Sequence, residues 1–188
     1  MAVYTEQAQK LLSFQLEDGS WGKFHSLGVP TKAEPYTTEQ ATRRLSILGF
    51  TIEDEPIRKA VGYMHRCLTH EVFIRDRREK THDWDIFTSL MLATWIRRFT
   101  KKDELANAVV KAWCDVITSA FQSGGYSQSD YEQAYITAFS KPVKGDRFID
   151  CFFARFLIRN SFHMVFIIVI SISKRVGFVK IPTLLLCL

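Results

Sequence analysis

The side chains with the clearest chemical potential stand together as His82-Asp83-Trp84-Asp85, where the most apolar helical pattern of the chain begins. Carboxylates in the first turn of a helix interact favourably with its dipole, by about 0.3–1 kcal/mol each. Indole rings, here Trp84 and Trp95, either fill a core or stabilise a bound cation through the ring quadrupole. Asp83 and Asp85 therefore have two open interpretations, helix capping or a role in a site. The two tryptophans also have two, core packing or ligand contact.

Helical hydrophobic periodicity extends over most of residues 1–150 and would position these side chains. The pattern at 83–99 is apolar nearly all round, which is typical of a helix buried on most sides. No segment of this body alternates apolar and polar residues as a strand does, so the predicted fold class is all-α, built from helical hairpins. The other predicted helices occupy residues 3–17, 38–49, 56–68, 101–121 and 128–139.

One block after the first predicted helix combines a glutamine, a glycine turn and a tryptophan, Gln15-x-x-Asp18-Gly19-Ser20-Trp21. A similar block, Gln122-x-Gly124-Gly125-Tyr126, follows a later helix. Glycine relieves left-handed strain at a helix end, a glutamine side chain can donate to the free carbonyl groups there, and the aromatic ring can pack over the turn. We interpret the two blocks as a weak internal repeat, with chance similarity as the alternative.

The first of these blocks carries a family resemblance. Leu11-Leu12, Gln15 and the segment 18–22 resemble the QW repeat of the α/α-toroid superfamily of terpenoid cyclases and protein prenyltransferases. The stretch from Thr38 to Gly49, followed by Pro56, Ala60 and Met64, is similar to that superfamily's pair of inner and outer helices. Within the superfamily, the chain looks most like bacterial prenyltransferase-like proteins. The resemblance implies alternating inner and outer helices around an apolar central cavity.

The resemblance also sets an expectation for chemistry. Class II cyclases use a DxDD motif whose aspartic acid protonates an alkene or epoxide, helped by groups that stabilise the resulting carboxylate. Asp83 and Asp85 stand where the first two acids would be, and Ile86 takes the third position. The prenyltransferases hold zinc with Asp, Cys and His, and no such set has the expected local pattern here. We therefore expect no metal and no cofactor. Asp83 and Asp85 are the catalytic candidates, and Trp84 and Trp95 are the ligand-binding candidates.

Three functional hypotheses follow. The first is a prenyltransferase- or cyclase-like toroid fragment that binds an apolar or isoprenoid small molecule and is not catalytically competent as it stands. The alternative is a non-catalytic helical-repeat module that binds a protein partner, which the missing third acid and missing zinc set favour. The third is a membrane-tethered protein, and it depends on the C-terminal tail alone.

Charge is evenly balanced in the body of the chain. Residues 1–150 carry 20 Lys and Arg against 20 Asp and Glu, so the net charge of +5 belongs to the tail. A neutral body has no net field that attracts phosphate, which argues against a nucleic-acid partner. The connection at 69–81 mixes acids and bases and is predicted to be a solvated loop.

The cysteines indicate a reducing compartment. Cys67, Cys114, Cys151 and Cys187 form no CxxC pair, and no secretion signal precedes them. We therefore expect reduced, partly buried thiols and a cytoplasmic location, with membrane association only if the C-terminal tail is native.

Composition changes sharply at Cys151. Residues 151–188 contain 25 hydrophobic residues among 38 and no acid. Their most apolar run, at 162–173, is shorter than the roughly 17–20 residues that span a bilayer. Three interpretations are open: a stretch foreign to the fold that comes from a frameshift or truncated gene, a membrane-associated tail, or a terminal helix that covers the open edge of a ring.

The predicted domain organisation follows from this change in composition. A closed ring of six helical hairpins needs about 250 residues, judged by the repeat lengths of helical arrays. Residues 1–150 are therefore expected to form an incomplete toroid domain. Residues 151–188 are expected to form a separate basic hydrophobic tail, which would be the only part of the chain to contact a membrane.

Overall fold

The computed structural model describes residues 5–25, 28–78, 80 and 82–144, and these residues form six α-helices and no strand. The predicted all-α class is therefore confirmed for this part of the chain. None of the described helices combines the length and the apolar character that crossing a membrane requires. The interpretations of the 151–188 tail lie outside the described residues. The helices are α1 Glu6–Leu12, α2 Thr38–Ile47, α3 Glu55–Leu68, α4 Trp84–Phe99, α5 Glu104–Ser119 and α6 Gln128–Phe139.

The chain divides into two compact units. The first comprises the described residues within Met1–Arg78 and Trp95–Ala106, and the second comprises those within Glu79–Thr94 and Asn107–Leu188. Helices α1, α2 and α3 belong to the first unit, and α6 belongs to the second. Helices α4 and α5 each contribute residues to both units.

Helix starts in the first unit follow local capping signals. Thr37 Oγ1 accepts a hydrogen bond from the N–H of Gln40, and Gln40 Oε1 accepts one from the N–H of Thr37, which completes a capping box. Asp54 precedes α3, and Pro56 lies in its first turn, where its missing N–H costs nothing. Both starts agree with the sequence-based predictions.

The core of the first unit forms where α2 packs against α1 and α3. The apolar face of α2 includes Ala41 and Leu45, which are fully buried. Ile47 is 72% exposed, because it lies two residues, about 200°, around the helix from Leu45. Other buried members of this core are Leu11, Trp21, Phe24, Ile57, Ala60, Tyr63, Met64 and Leu68.

Helix α1 ends at Leu12, so its predicted extension to residue 17 is wrong. A tight turn follows, in which the N–H of Leu16 donates to the carbonyl oxygen of Ser20 at 2.8 Å. This turn brings Trp21 back over the end of α1, and its Nε1 donates to the carbonyl oxygen of Leu11 at 2.7 Å. The buried indole thus satisfies one of the carbonyl groups that a helix end leaves free.

The two glutamine blocks differ in their hydrogen bonding. Gln15 Nε2 donates to the carbonyl oxygens of Gly19 (3.0 Å) and Pro56 (2.9 Å). It therefore ties its own turn to the start of α3, and its predicted bond to the end of α1 is wrong because Trp21 takes that place. Gln122 is exposed, and Tyr126 is only partly buried. Glycine and an aromatic residue are the features that the two turns share.

Residues 21–24 run along the start of α2. The N–H of Trp21 donates to Thr38 Oγ1 at 3.0 Å. In return, the N–H of Thr38 donates to the carbonyl oxygen of Lys23 at 2.8 Å, and the N–H of Glu39 donates to that of Phe24 at 3.0 Å. The first N–H groups of α2 are therefore satisfied by a segment that is distant in sequence.

The connection between α3 and α4 contains a residue with a structural role. Asp76 is partly buried, and its two carboxylate oxygens accept hydrogen bonds from the N–H groups of Phe24 (2.6 Å) and His25 (2.9 Å). Burial raises the pKa of Asp76 and outweighs these two hydrogen bonds, which lower it. The prediction of a purely solvated connection is therefore wrong at this residue.

The second unit contains an aromatic cluster between α5 and α6. The ring of Trp113 lies 5.8 Å from that of Tyr135 and 4.9 Å from that of Phe139, measured between centroids. Both distances are within the range of favourable aromatic pairs. Helix α6 has the bounds that its sequence pattern predicted, and Ser140 ends it in a left-handed conformation, with φ of 55°.

Candidate functional site

Asp83 caps helix α4. Its Oδ1 accepts hydrogen bonds from the N–H groups of Asp85 and Ile86, both at 3.2 Å. Its Oδ2 lies 2.8 Å from Lys141 Nζ, just beyond the end of α6. Both carboxylate oxygens are therefore engaged with N–H donors. This arrangement suits a cap and an ion pair, as the capping interpretation of the sequence predicted.

The charge state of Asp83 follows from these contacts. Partial burial alone would raise its pKa, but the hydrogen bonds from Lys141 and from the backbone of Ile86 outweigh it and lower the pKa. The same hydrogen bond raises the pKa of Lys141. Asp83 is thus a carboxylate at neutral pH, with its negative charge directed at Lys141. A catalytic role for Asp83 or Asp85 stays a prediction.

An open groove of about 360 Å³ lies beside this cap, within the second unit. We call it the apolar groove. Along α5, lining residues recur at helical spacing, so that Val109 and Trp113 share a face. The small side chains of Ala108 and Ala112 leave the space that larger side chains would fill. The lining residues are Asp85, Ile86, Ser89, Ala108, Val109, Ala112, Trp113 and Phe139.

The four candidate residues from the sequence have different positions. Asp85 lines the apolar groove and is exposed. Asp83 caps α4 next to it. Trp84 is partly buried and stacks on Phe87, with 5.9 Å between ring centroids and 28° between ring planes. The structure therefore brings Asp85 to a concave surface.

Trp95 belongs to the first unit and is almost completely buried, with 2% of its surface exposed. Its Nε1 donates a 2.7 Å hydrogen bond to Oε1 of Glu39, which is equally buried. The guanidinium carbon of Arg98 lies 5.8 Å from the centroid of the Trp95 ring. The ring therefore already has a cation near its face, supplied by its own helix, and these contacts favour core packing.

Trp113 is one of the lining residues that the sequence reasoning did not single out. The amphipathic pattern of α5 placed it on the apolar face, and it is buried there. The pattern contains no sign that its Nε1 would have no hydrogen-bond partner among the described residues. Whether a buried donor finds an acceptor depends on side chains from other helices, which periodicity does not report.

A second groove, of about 510 Å³, lies between α5 and α6 in the same unit. We call it the polar groove. Its lining includes two carboxylates and two amides, which distinguishes it from the apolar groove. The lining residues are Ala112, Asp115, Val116, Ser119, Gln122, Asp130, Gln133, Ala134, Thr137 and Ala138.

Within the described part of the chain, no three or more His, Cys, Asp or Glu side chains lie together as metal ligands would. Cys67 is buried, and burial raises the pKa of its thiol to about 11. A thiol that stays protonated at neutral pH is a poor nucleophile and a poor metal ligand.

Comparison of the chain with protein-family models, with curated proteins and with solved structures finds no match.

Proposed function

We propose that this protein is a non-catalytic relative of the terpenoid cyclases and protein prenyltransferases, part of an α/α toroid, and that it binds an apolar ligand of isoprenoid type. The observation that carries the proposal is the apolar groove, whose volume is within the range of about 300–1,000 Å³ for ligand sites. The QW-like block and the helical hairpins support the family assignment.

Non-catalytic binding is supported by the contacts of Asp83. A proton donor must reach the atom that it protonates, whereas both oxygens of Asp83 already accept hydrogen bonds from N–H donors. Ile86, at the position of the third acid in the cyclase motif, lines the groove with an apolar side chain. The groove therefore offers apolar contact area and little acid–base chemistry.

The direct test fills the groove. Ala108→Trp places a large side chain in the lining, and Ala138→Trp makes the same change at an exposed residue that lines the polar groove and is not among the described lining of the apolar groove. Binding of the fluorescent apolar probe N-phenyl-1-naphthylamine is measured by titration for both variants and the original chain. We expect Ala108→Trp to lose binding and Ala138→Trp to keep it. Equal binding by both variants would refute a ligand site in this groove.

The polar groove favours a second candidate function, a protein-interaction module. Its carboxylate and amide side chains can accept and donate hydrogen bonds to a peptide backbone, which an apolar ligand does not require. Mutations in the two grooves distinguish the two candidate functions. Ala138→Trp is expected to disrupt peptide binding and spare probe binding, whereas Ala108→Trp is expected to do the reverse.

A further inference from the structure

We propose that the adjacent C-terminal ends of helices α2 and α4 form a docking surface for an acidic segment of a partner protein. This surface lies in the first unit, so the inference is independent of the two grooves of the second unit. Three observations carry it: a cluster of cations from two segments that contain no acid, repulsion within that cluster, and a large apolar side chain exposed beside it.

A hydrogen-bonded arginine joins the two helix ends. Nε and Nη2 of Arg98 donate to Oγ of Ser46 at 3.0 and 2.8 Å. This contact places the last turn of α4 beside the end of α2. The basic residues of the two segments therefore gather in one part of the unit, which we call the basic patch. Its members are Arg43, Arg44, Arg97, Arg98, Lys101 and Lys102.

The two segments that supply the basic patch contain no acid. Residues 40–52 and 86–102 have neither Asp nor Glu, although residues 1–150 carry equal numbers of acidic and basic residues. The next acid after the α4 segment, Asp103, has its Oδ2 2.6 Å from Nδ1 of His65 on α3. Positive charge is therefore concentrated locally in a body whose net charge is zero.

Like charges within the basic patch act on one another. Burial, and then the positive charge of Arg97 one turn away, lower the pKa of Lys101. A bound anion would have the opposite effect, because a nearby negative charge favours the charged form of a lysine. An acidic partner would therefore relieve the repulsion between these two cations.

Aromatic rings hold two of the arginines in place. The guanidinium carbon of Arg44 lies 4.9 Å from the centroid of the Tyr36 ring, and that of Arg98 lies 5.8 Å from the centroid of the Trp95 ring. A guanidinium group that is already positioned loses less conformational freedom when it pairs with a carboxylate. The patch is therefore partly ordered before a partner binds.

An exposed isoleucine lies within the basic patch. Ile47 is 72% exposed, and it shares a helix face with Arg43 and Arg44, four and three residues earlier. Leu48, the next residue, is also exposed. A partner segment that combines carboxylates with aliphatic side chains would pair with the arginines and cover this apolar surface at the same time.

The size of the basic patch favours a peptide over an extended anion. Packed helices lie about 8–10 Å apart, a distance that about three residues of extended chain cover. A bilayer or a nucleic acid presents negative charge over a much broader surface. The acids of the neutral body would meet that surface as well and oppose its approach. A short acidic segment contacts the cations alone.

The experiment measures binding of the full 188-residue chain to a short fluorescein-labelled peptide in which pairs of glutamates alternate with leucines. A control peptide has glutamine in place of every glutamate. By fluorescence anisotropy, we expect the acidic peptide to bind at least about 10-fold more tightly than the control, the gain from two or more exposed ion pairs. Its affinity should fall between low salt and about 0.5 M salt.

Matched double variants locate the binding. Arg43→Glu combined with Arg97→Glu is expected to weaken acidic-peptide binding about 10-fold or more. Lys10→Glu combined with Lys32→Glu makes the same change in net charge at two exposed residues of the same unit, and it is expected to keep binding. Lys10 lies in the last turn of α1, as Arg97 does in that of α4. The basic tail at 151–188 is common to both variants, so its attraction for the peptide cancels.

The apolar contribution and the fold are tested separately. Ile47→Ser is expected to weaken binding about 3-fold through the lost apolar contact. Thermal unfolding midpoints report whether each variant is folded. If charge reversal lowers the midpoint, Arg43→Gln combined with Arg97→Gln removes the two charges without reversing them, and the weaker binding should persist.

Three results would overturn the inference. The first is equal affinity for the acidic and control peptides, and the second is an equal loss of binding in the two double variants. The third is a chain that binds no acidic peptide but sediments with phosphatidylserine vesicles and loses this in Arg43→Glu with Arg97→Glu, because the patch would then be a membrane contact.

Discussion

The indole of Trp95 donates its N–H to the carboxylate of Glu39 at 2.7 Å, and both side chains are nearly inaccessible to solvent. The two residues lie 56 positions apart in the chain, on helices α4 and α2. A buried carboxylate must be hydrogen bonded to be tolerated. This bond therefore links α2 to the part of α4 that belongs to the first unit, through a polar contact inside the core of that unit.

Removal of this donor is expected to destabilise the fold. Trp95→Phe keeps an aromatic ring but takes one hydrogen bond from a buried carboxylate, so the free energy of unfolding should fall by about 1–3 kcal/mol. Trp84→Phe is the matched control, because Trp84 is only partly buried and its stacking on Phe87 needs no N–H. Urea denaturation measures both. A loss in Trp95→Phe no larger than that in Trp84→Phe would contradict the importance of the bond.

The cap at the start of α4 makes a second prediction. Asp83→Ala removes both the cap and the ion pair with Lys141, and it is expected to lower the free energy of unfolding by about 0.5–2 kcal/mol. Asp83→Asn keeps an oxygen that can cap the helix, so it should lose less. Urea denaturation at low salt and at about 1 M salt separates the contributions, because salt screens the charge interactions of the Asp83 carboxylate with Lys141 and the helix dipole but leaves the capping hydrogen bonds. Equal losses in the two variants would show that capping is not important here.

Gly19 is expected to tolerate no side chain. Its φ is 92°, and a Cβ would lie 2.2 Å from the carbonyl oxygen of Lys59. Gly49 has a similar φ of 89°, but a Cβ there would meet nothing within 4 Å. Gly49→Ala therefore reports the backbone strain alone, about 1–3 kcal/mol at most, and Gly19→Ala adds the clash. Thermal unfolding should rank Gly19→Ala as clearly the less stable, and the reverse order would refute this packing.

Asp76 and Asp83 are expected to affect the pH dependence of stability in opposite directions. The pKa of Asp83 lies below its ordinary value of 3.8, so the stability that this residue contributes is present above pH 3.8 and is lost as the pH falls. The pKa of Asp76 lies above 3.8, so its ionisation reduces stability as the pH rises from 3.8 through the raised value.

Denaturation midpoints between about pH 3 and pH 6 test this difference through the slopes that linkage predicts. In Asp83→Asn, the free energy of unfolding should decrease less steeply as the pH falls below 3.8. In Asp76→Asn, the free energy of unfolding should increase more steeply as the pH rises just above 3.8. Slopes rather than absolute stabilities are compared, because Asp76→Asn also loses one of the two oxygen acceptors for the N–H groups of Phe24 and His25. Slopes that change in the same direction would contradict the opposite pKa shifts.

The sequence predicts best what local signals determine. The cap at Thr37, the proline at the start of α3 and both ends of α6 all depend on residues within one or two turns. The end of α1 was predicted five residues too late, because it is set by a hydrogen bond from Trp21 that no periodicity reveals. Local chemistry therefore determines where these helices begin, whereas tertiary contacts decide where α1 ends.

The candidate site was predictable only in part, for the same reason. The sequence located the acidic cluster at the start of α4, and Asp85 does line a groove. The ion pair of Asp83 joins it to Lys141, which lies 58 residues away in the chain. The lack of an acceptor for the Trp113 N–H among the described residues depends on the side chains that pack around it. Such features arise from the packing of several helices, and composition and spacing do not contain them.

The hydrogen bonds between residues 21–24 and the start of α2 have a dynamic consequence. Each segment supplies acceptors for N–H groups of the other, at Trp21, Thr38 and Glu39. Neither segment can open alone without exposing the N–H groups of both. These three amides should therefore exchange their hydrogens with solvent through one shared opening event, although one belongs to a loop and two belong to a helix.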